Sequence, residues 1–125
     1  MHDAWRNYAN APKEGAIICP SNDIKEGKAH YMEMMSNDES FPVIATRLNG
    51  RIYCYVNACP HQYLPLNYRS DNIISSDGQR FLCSAHGAVF DIKTGNCLTG
   101  DCDKLDALPV FEDLAGNLCI GYRKS

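Results

Sequence analysis

The sequence predicts an all-β fold, and three observations carry that prediction. Apolar residues gather in short runs, many with β-branched or aromatic members, as half-buried strands require. Turn-forming pairs stand between the runs at Asn49-Gly50, Asp77-Gly78, Thr94-Gly95 and Gly116-Asn117. No stretch of a dozen residues keeps the 3.6-residue period of an amphipathic helix. A chain of 125 residues is the size of one domain, spanning 1–125. It buries roughly two thirds of its unfolded surface, enough for a single core. Small antiparallel sheets or a sandwich are the expected architecture.

The elements follow in order. Residues 1–14 form an irregular N-terminal arm, with Trp5 and Tyr8 as aromatic pins and Pro12 near its end. A first strand is expected at 16–19, and 20–27 has room for one turn of helix after Ser21. A second strand at 30–35 places His30, Met32 and Met34 on one face. The run at 41–48 gains β character from Val43, Ile44 and Thr46. Asn49-Gly50 joins it to Arg51–Val56 as a hairpin, because a type I′ turn needs positive φ at both central residues. Later strands are expected at 81–84, 88–92, 107–111 and 118–122. The segment 57–103 differs: it is dense in Pro and Gly and holds four of the seven cysteines. A loop region that long needs something to order it.

Composition narrows the function. With 45% hydrophobic and 22% charged residues, the chain is neither disordered nor a membrane protein by composition. Twelve Lys+Arg against fifteen Asp+Glu give a net charge of -3, so no basic field gathers phosphates and nucleic acid is not an expected partner. The N-terminus has no cationic segment followed by a sustained apolar run, which predicts neither export signal nor membrane span. An odd number of cysteines points the same way, to a reducing cytoplasm in which thiols serve packing or metal.

Chemistry concentrates in Cys59-Pro60-His61 and Cys83-Ser84-Ala85-His86, spaced C-x-H and C-x2-H. Two thiolates and two imidazoles make one full metal-binding set. Tetrahedral zinc is a physical competitor, although its sites usually pair like ligands, as in C-x2-C with H-x3-H. Here each segment offers one thiolate and one imidazole in matching order. Each can therefore reach both metals of a two-iron cluster, with its Cys on one iron and its His on the other.

These residues also carry a family resemblance. CPHQYLPL at 59–66 and CSAHGAVFD at 83–91 resemble the two cluster-binding loops of Rieske [2Fe-2S] proteins. The likeness extends over roughly the last 85 residues and more loosely before them. It implies a Rieske-type [2Fe-2S] cluster with Cys59 and Cys83 on one iron and His61 and His86 on the other. It also implies three stacked antiparallel sheets, with 57–103 as a loop-rich cluster-binding subdomain. Within the family, the high-potential respiratory proteins brace the loops with a disulfide; the matching positions here are Leu64 and Ala85. Hydroxyl donors that raise the potential there correspond to Ala88 and Phe90. The chain therefore resembles the soluble, low-potential Rieske-type ferredoxins, and a potential of ~ -150 mV rather than about +300 mV follows. It departs from the family at Tyr63, where Gly is usual, and at Gly100-Asp101, where Gly-Pro usually marks a third covering loop.

The resemblance implies a one-electron carrier between a reductase and an oxygenase or similar redox enzyme, turning nothing over by itself. The chain is too short to hold a further mononuclear iron domain. A small Rieske subunit of a nitrite-reductase-like complex and a redox-sensing binding module are the alternatives. No membrane partner is expected, and the chain is expected to be a monomer. Of the remaining residues, Cys19, Cys54 and Cys119 are expected as small core residues. Cys97 and Cys102 are expected as buried or idle thiols, with a redox role as the alternative. His2 and His30 lack spaced partners. Asp101, Asp103 and Asp106 are either an acidic docking rim or a solvated loop.

Overall fold

The computed structural model describes residues 4–8, 10–36, 39–60, 64–84, 87–99 and 103–121. Eight strands run in the order β1 (Ile17–Pro20), β2 (Ala29–Ser36), β3 (Glu39–Leu48), β4 (Arg51–Val56), β5 (Arg80–Leu82), β6 (Val89–Asp91), β7 (Val110–Glu112) and β8 (Asn117–Ile120). All pairing between them is antiparallel, in three sheets ordered β1-β8-β7, β2-β3-β4 and β5-β6. The described residues contain no α-helix, only the 3-10 turns Ala4–Asn7 and Ser21–Asp23. None of their helices is long and apolar enough to cross a membrane.

The β3–β4 hairpin forms as its turn chemistry requires. Asn49 has φ 53 and Gly50 φ 81, the two positive angles of a type I′ turn, and Leu48 pairs with Arg51. The Glu26 carboxylate accepts both N–H groups of the turn, from Asn49 at 2.7 Å and Gly50 at 3.0 Å. Behind it Arg47 donates to the carbonyls of Ser21, Ile24 and Gly50, tying the segment after β1 to this hairpin.

The middle sheet is buried on both faces, which corrects the expectation of a single core. Alternation along β3 sends Val43 and Ala45 to one side and Ile44 and Leu48 to the other. Along β4, Cys54 and Val56 go one way and Tyr55 the other. The first side packs against β8 through Leu118 and Ile120 and takes in Trp5. The second packs against the β5–β6 sheet through Phe81 and Phe90 and contains Cys59 and Cys83.

Several strand bounds differ from the sequence pattern, and three of the differences have a plain local reason. The run at 107–111 is divided between two sheets. Ala107 bridges Tyr55 and Leu108 donates to Cys54, so this part covers the outer edge of β4. Pro109, which has no N–H, separates it from β7. The expected strand at 81–84 ends at Leu82, since the N–H groups of Cys83 and Ser84 turn to Ala88 and Leu66. The last strand stops at Ile120, before Gly121 with its φ of 110; Tyr122 lies outside the described residues. The N-terminal arm is not irregular throughout. Its 3-10 turn buries Trp5 to 1% exposure, with Arg6 4.6 Å from the ring centroid.

Candidate metal centre

Two loops converge on the face of the middle sheet that carries Ile44 and Tyr55. The first leaves β4 at Asn57. Its buried side chain accepts the Leu66 N–H at 2.8 Å through Oδ1 and donates to Asn67 Oδ1 at 2.9 Å through Nδ2. Cys59 N–H donates to the Leu64 carbonyl at 2.7 Å, closing the loop between them. The second loop leaves β5. There Cys83 N–H donates to Ala88 at 2.7 Å and Gly87 N–H donates back to Cys83 at 2.8 Å, closing a tight hairpin. Residue 87 has φ 80, which only glycine adopts without strain.

The two loops thus deliver Cys59 at 0% exposure and Cys83 at 1% into one apolar cluster, among Leu66, Ile73, Phe81 and Phe90. Neither is in a disulfide. His61 and His86, the other two residues of the expected ligand set, lie outside the described residues, as do Tyr63, Ala85, Gly100 and Asp101. Among the described residues no three potential metal ligands come together, so the two cysteines are the part of the set that can be compared. They fit a two-iron cluster: two soft donors, far apart in sequence, are brought into the same buried surroundings. Phe90 is wholly buried in that cluster and Ala88 lines it, and neither side chain offers a hydrogen bond.

A contact missed by sequence reasoning joins the loops. Ser84 N–H and Ser84 Oγ both donate to the Leu66 carbonyl, at 2.8 and 2.7 Å. The same Oγ accepts from Arg69 N–H at 2.8 Å and Ser70 N–H at 3.3 Å. A serine between Cys83 and His86 carries no sequence signal of this, because its partners are 14 to 18 positions away. Asn57 gave a fainter hint, as a polar residue directly after an apolar strand.

The other candidates resolve differently. Cys54 is buried and Cys19 packs partly buried against the same cluster, while Cys119 is buried on β8. Burial, together with the neighbouring Cys19, pushes the Cys54 thiol well above its ordinary value. Cys97 is not an idle thiol: it is disulfide-bonded, contrary to the expectation, and Cys102 lies outside the described residues. Its segment runs beside β6, with a Phe90–Cys97 bridge and Leu98 N–H donating to Val89. Asp106 is committed to the fold, not a docking rim, since its carboxylate accepts the Tyr8 hydroxyl at 2.7 Å and its carbonyl the Val56 N–H. Asp103 is exposed. His30 accepts the Lys25 N–H at its Nε2, and His2 lies outside the described residues.

Comparison with solved structures gives the same architecture. A ferredoxin from Sphingomonas yanoikuyae B1 superposes with a TM-score of 0.66 at 22% identity, over 87% of this chain and 99% of that one. The ferredoxin of carbazole 1,9a-dioxygenase from Nocardioides aromaticivorans IC177 gives 0.65 at 17% identity, over 89% and 100%. A chain from a complex of reduced oxygenase and oxidized ferredoxin in carbazole 1,9a-dioxygenase gives 0.65 at 20% identity, over 84% and 99%. No curated protein sequence matches. The Rieske [2Fe-2S] domain profile matches residues 15–112, a span that contains both loops and seven of the eight strands within or overlapping it. The chain therefore belongs to the Rieske [2Fe-2S] domain family, and its cofactor is a Rieske-type [2Fe-2S] cluster.

Proposed function

We propose that the chain is a soluble one-electron carrier, a Rieske-type ferredoxin that takes an electron from a reductase and hands it to an oxygenase. The observation that carries this reading is the convergence of Cys59 and Cys83, from two separately closed loops, into one buried cluster inside the family-matched span. The likeness to the ferredoxin of carbazole 1,9a-dioxygenase, and to a chain from a complex of oxygenase and ferredoxin, supports the choice of partner. Cys59 and Cys83 hold one iron and His61 and His86 the other. The whole chain acts as a single cytoplasmic domain in which 57–103 is the cluster-binding part, and it works as a monomer.

When bound, the cluster supplies a one-electron couple. The chain sets its ease of reduction. Two neutral imidazoles in place of two thiolates remove negative charge, which raises the potential above that of an all-cysteine site. The ring of Phe90 and the methyl of Ala88 withhold donors from the sulfurs, which keeps it at about -150 mV, at the low end of the Rieske range. Two exposed apolar side chains flank the loops, Tyr68 after the first and Leu98 beside the strand after the second. They offer a partner dry contact close to the site.

The test uses purified holoprotein. Absorption and electron paramagnetic resonance spectra, oxidised and dithionite-reduced, should show a mixed Cys/His two-iron signature. Rapid mixing of the reduced protein with an oxidised Rieske oxygenase should then reoxidise it. Colourless, iron-free protein, or a reduced cluster that passes no electron to any such oxygenase, overturns the proposal.

A further inference from the structure

The two loops that carry Cys59 and Cys83 are each closed by their own backbone, and something must fix one against the other. Among the described residues, every hydrogen bond between 64–70 and 83–88 has Ser84 as a member. Its hydroxyl spends its whole capacity there: one donated bond to Leu66 and two accepted bonds, from Arg69 and Ser70. Leu66 is equally saturated. Its carbonyl takes both Ser84 donors and its N–H is held by Asn57, so the serine is coupled through Leu66 to the exit of β4.

We propose that Ser84 is a positioning residue for the cofactor: its hydroxyl latches the second loop onto the first and thereby fixes the Cys83 sulfur and excludes water from it. This rests on the two-iron reading above. The location suits the role. Ser84 follows Cys83 directly, so a rotation at residue 84 is transmitted to the neighbouring sulfur. Arg69 and Ser70 are exposed, so water can replace the hydroxyl on their N–H groups, and removing it loosens the loop without unfolding the sheets.

The experiment compares holoprotein with Ser84→Ala and with Ser84→Thr, which keeps the hydroxyl. Loss of one such bond changes a local opening equilibrium by about fivefold to thirtyfold. Ser84→Ala should lose its colour to an excess of iron chelator faster by about that factor. Its reduction potential should shift upward, because water admitted to Cys83 donates to the sulfur. Ser84→Thr should stay near the parent in both. An unchanged potential and chelation rate in Ser84→Ala, or equal shifts in both variants, overturns the latch. Amide exchange on the unmodified protein gives an answer even if the variant does not fold: Arg69 and Ser70 should be protected, and free exchange at both refutes it. Failure of the parent to hold any cluster would instead refute the carrier reading.

Discussion

Asn57 shows how one polar side chain can order a loop. It is 4% exposed, and its amide joins the end of β4 to Leu66 and Asn67. Asn57→Ala leaves the buried Leu66 N–H without an acceptor, which costs about 1–3 kcal/mol. Urea unfolding of the cluster-free protein should show that loss, and a midpoint equal to the parent's would contradict it. His30 is a second single-residue case. Burial holds its imidazole below its ordinary 6.5, Lys25 and Lys28 add to this, and Asp23 opposes it. Its Nε2 accepts the Lys25 N–H, which only the neutral ring can do. The unfolded chain therefore takes up the proton first as pH falls. The contribution of His30 is complete above about pH 6.5 and is lost as pH drops through that value toward the lower folded one. Denaturation midpoints measured from pH 7.5 to 5 should fall less steeply in His30→Gln than in the parent.

At the scale of elements, two glycines with similar backbone angles have different surroundings. Gly50, φ 81 in the β3–β4 turn, has open space where a Cβ would stand. Gly95, φ 77, would place a Cβ 2.8 Å from the Tyr55 ring and 3.3 Å from the Leu105 carbonyl. The Tyr55 hydroxyl is itself fixed on the Ile92 carbonyl at 2.5 Å, so its ring has no room to retreat. Gly50→Ala should therefore cost only the backbone strain, about 1 kcal/mol, whereas Gly95→Ala adds overpacking of about 1–3 kcal/mol. Thermal unfolding of the pair checks this ordering, and equal melting points would show that the loop moves aside. What the sequence disclosed about the elements follows the same division. The β3–β4 hairpin was legible because Asn49-Gly50 carries its own instruction. The split of 107–111 was not, because Pro109 hands its neighbours to different sheets according to where β4 and β8 lie. Cys59 and Cys83 stood out as candidate ligands through their spacing and the family resemblance, while the Ser84 latch was hidden in a contact that only the folded loops create.

For the molecule as a whole, the double-sided middle sheet is the organising feature. It needs apolar residues at successive positions of β3, and 43–45 supplies them as Val-Ile-Ala. The all-β class and the three-sheet arrangement were therefore within reach of the sequence, through turn spacing and through the resemblance. The partition of the interior was not. One core and two differ only in which face each strand residue meets, and that depends on the register between β2, β3 and β4. The burial of Trp5 was foreshadowed by a large aromatic in an otherwise small and polar arm, yet its depth required the apolar cluster that β3 and β8 build together.

That partition equips the protein with two independent optical signals. The sole tryptophan sits on the side of the sheet away from Cys59 and Cys83, so its emission follows one half while visible colour follows the other. Stripping the iron with a chelator should bleach the chromophore and leave the indole fluorescence maximum in place; heating should move both. A red shift that accompanies chelation step for step would mean that the halves melt together, and that the cofactor underwrites the entire fold.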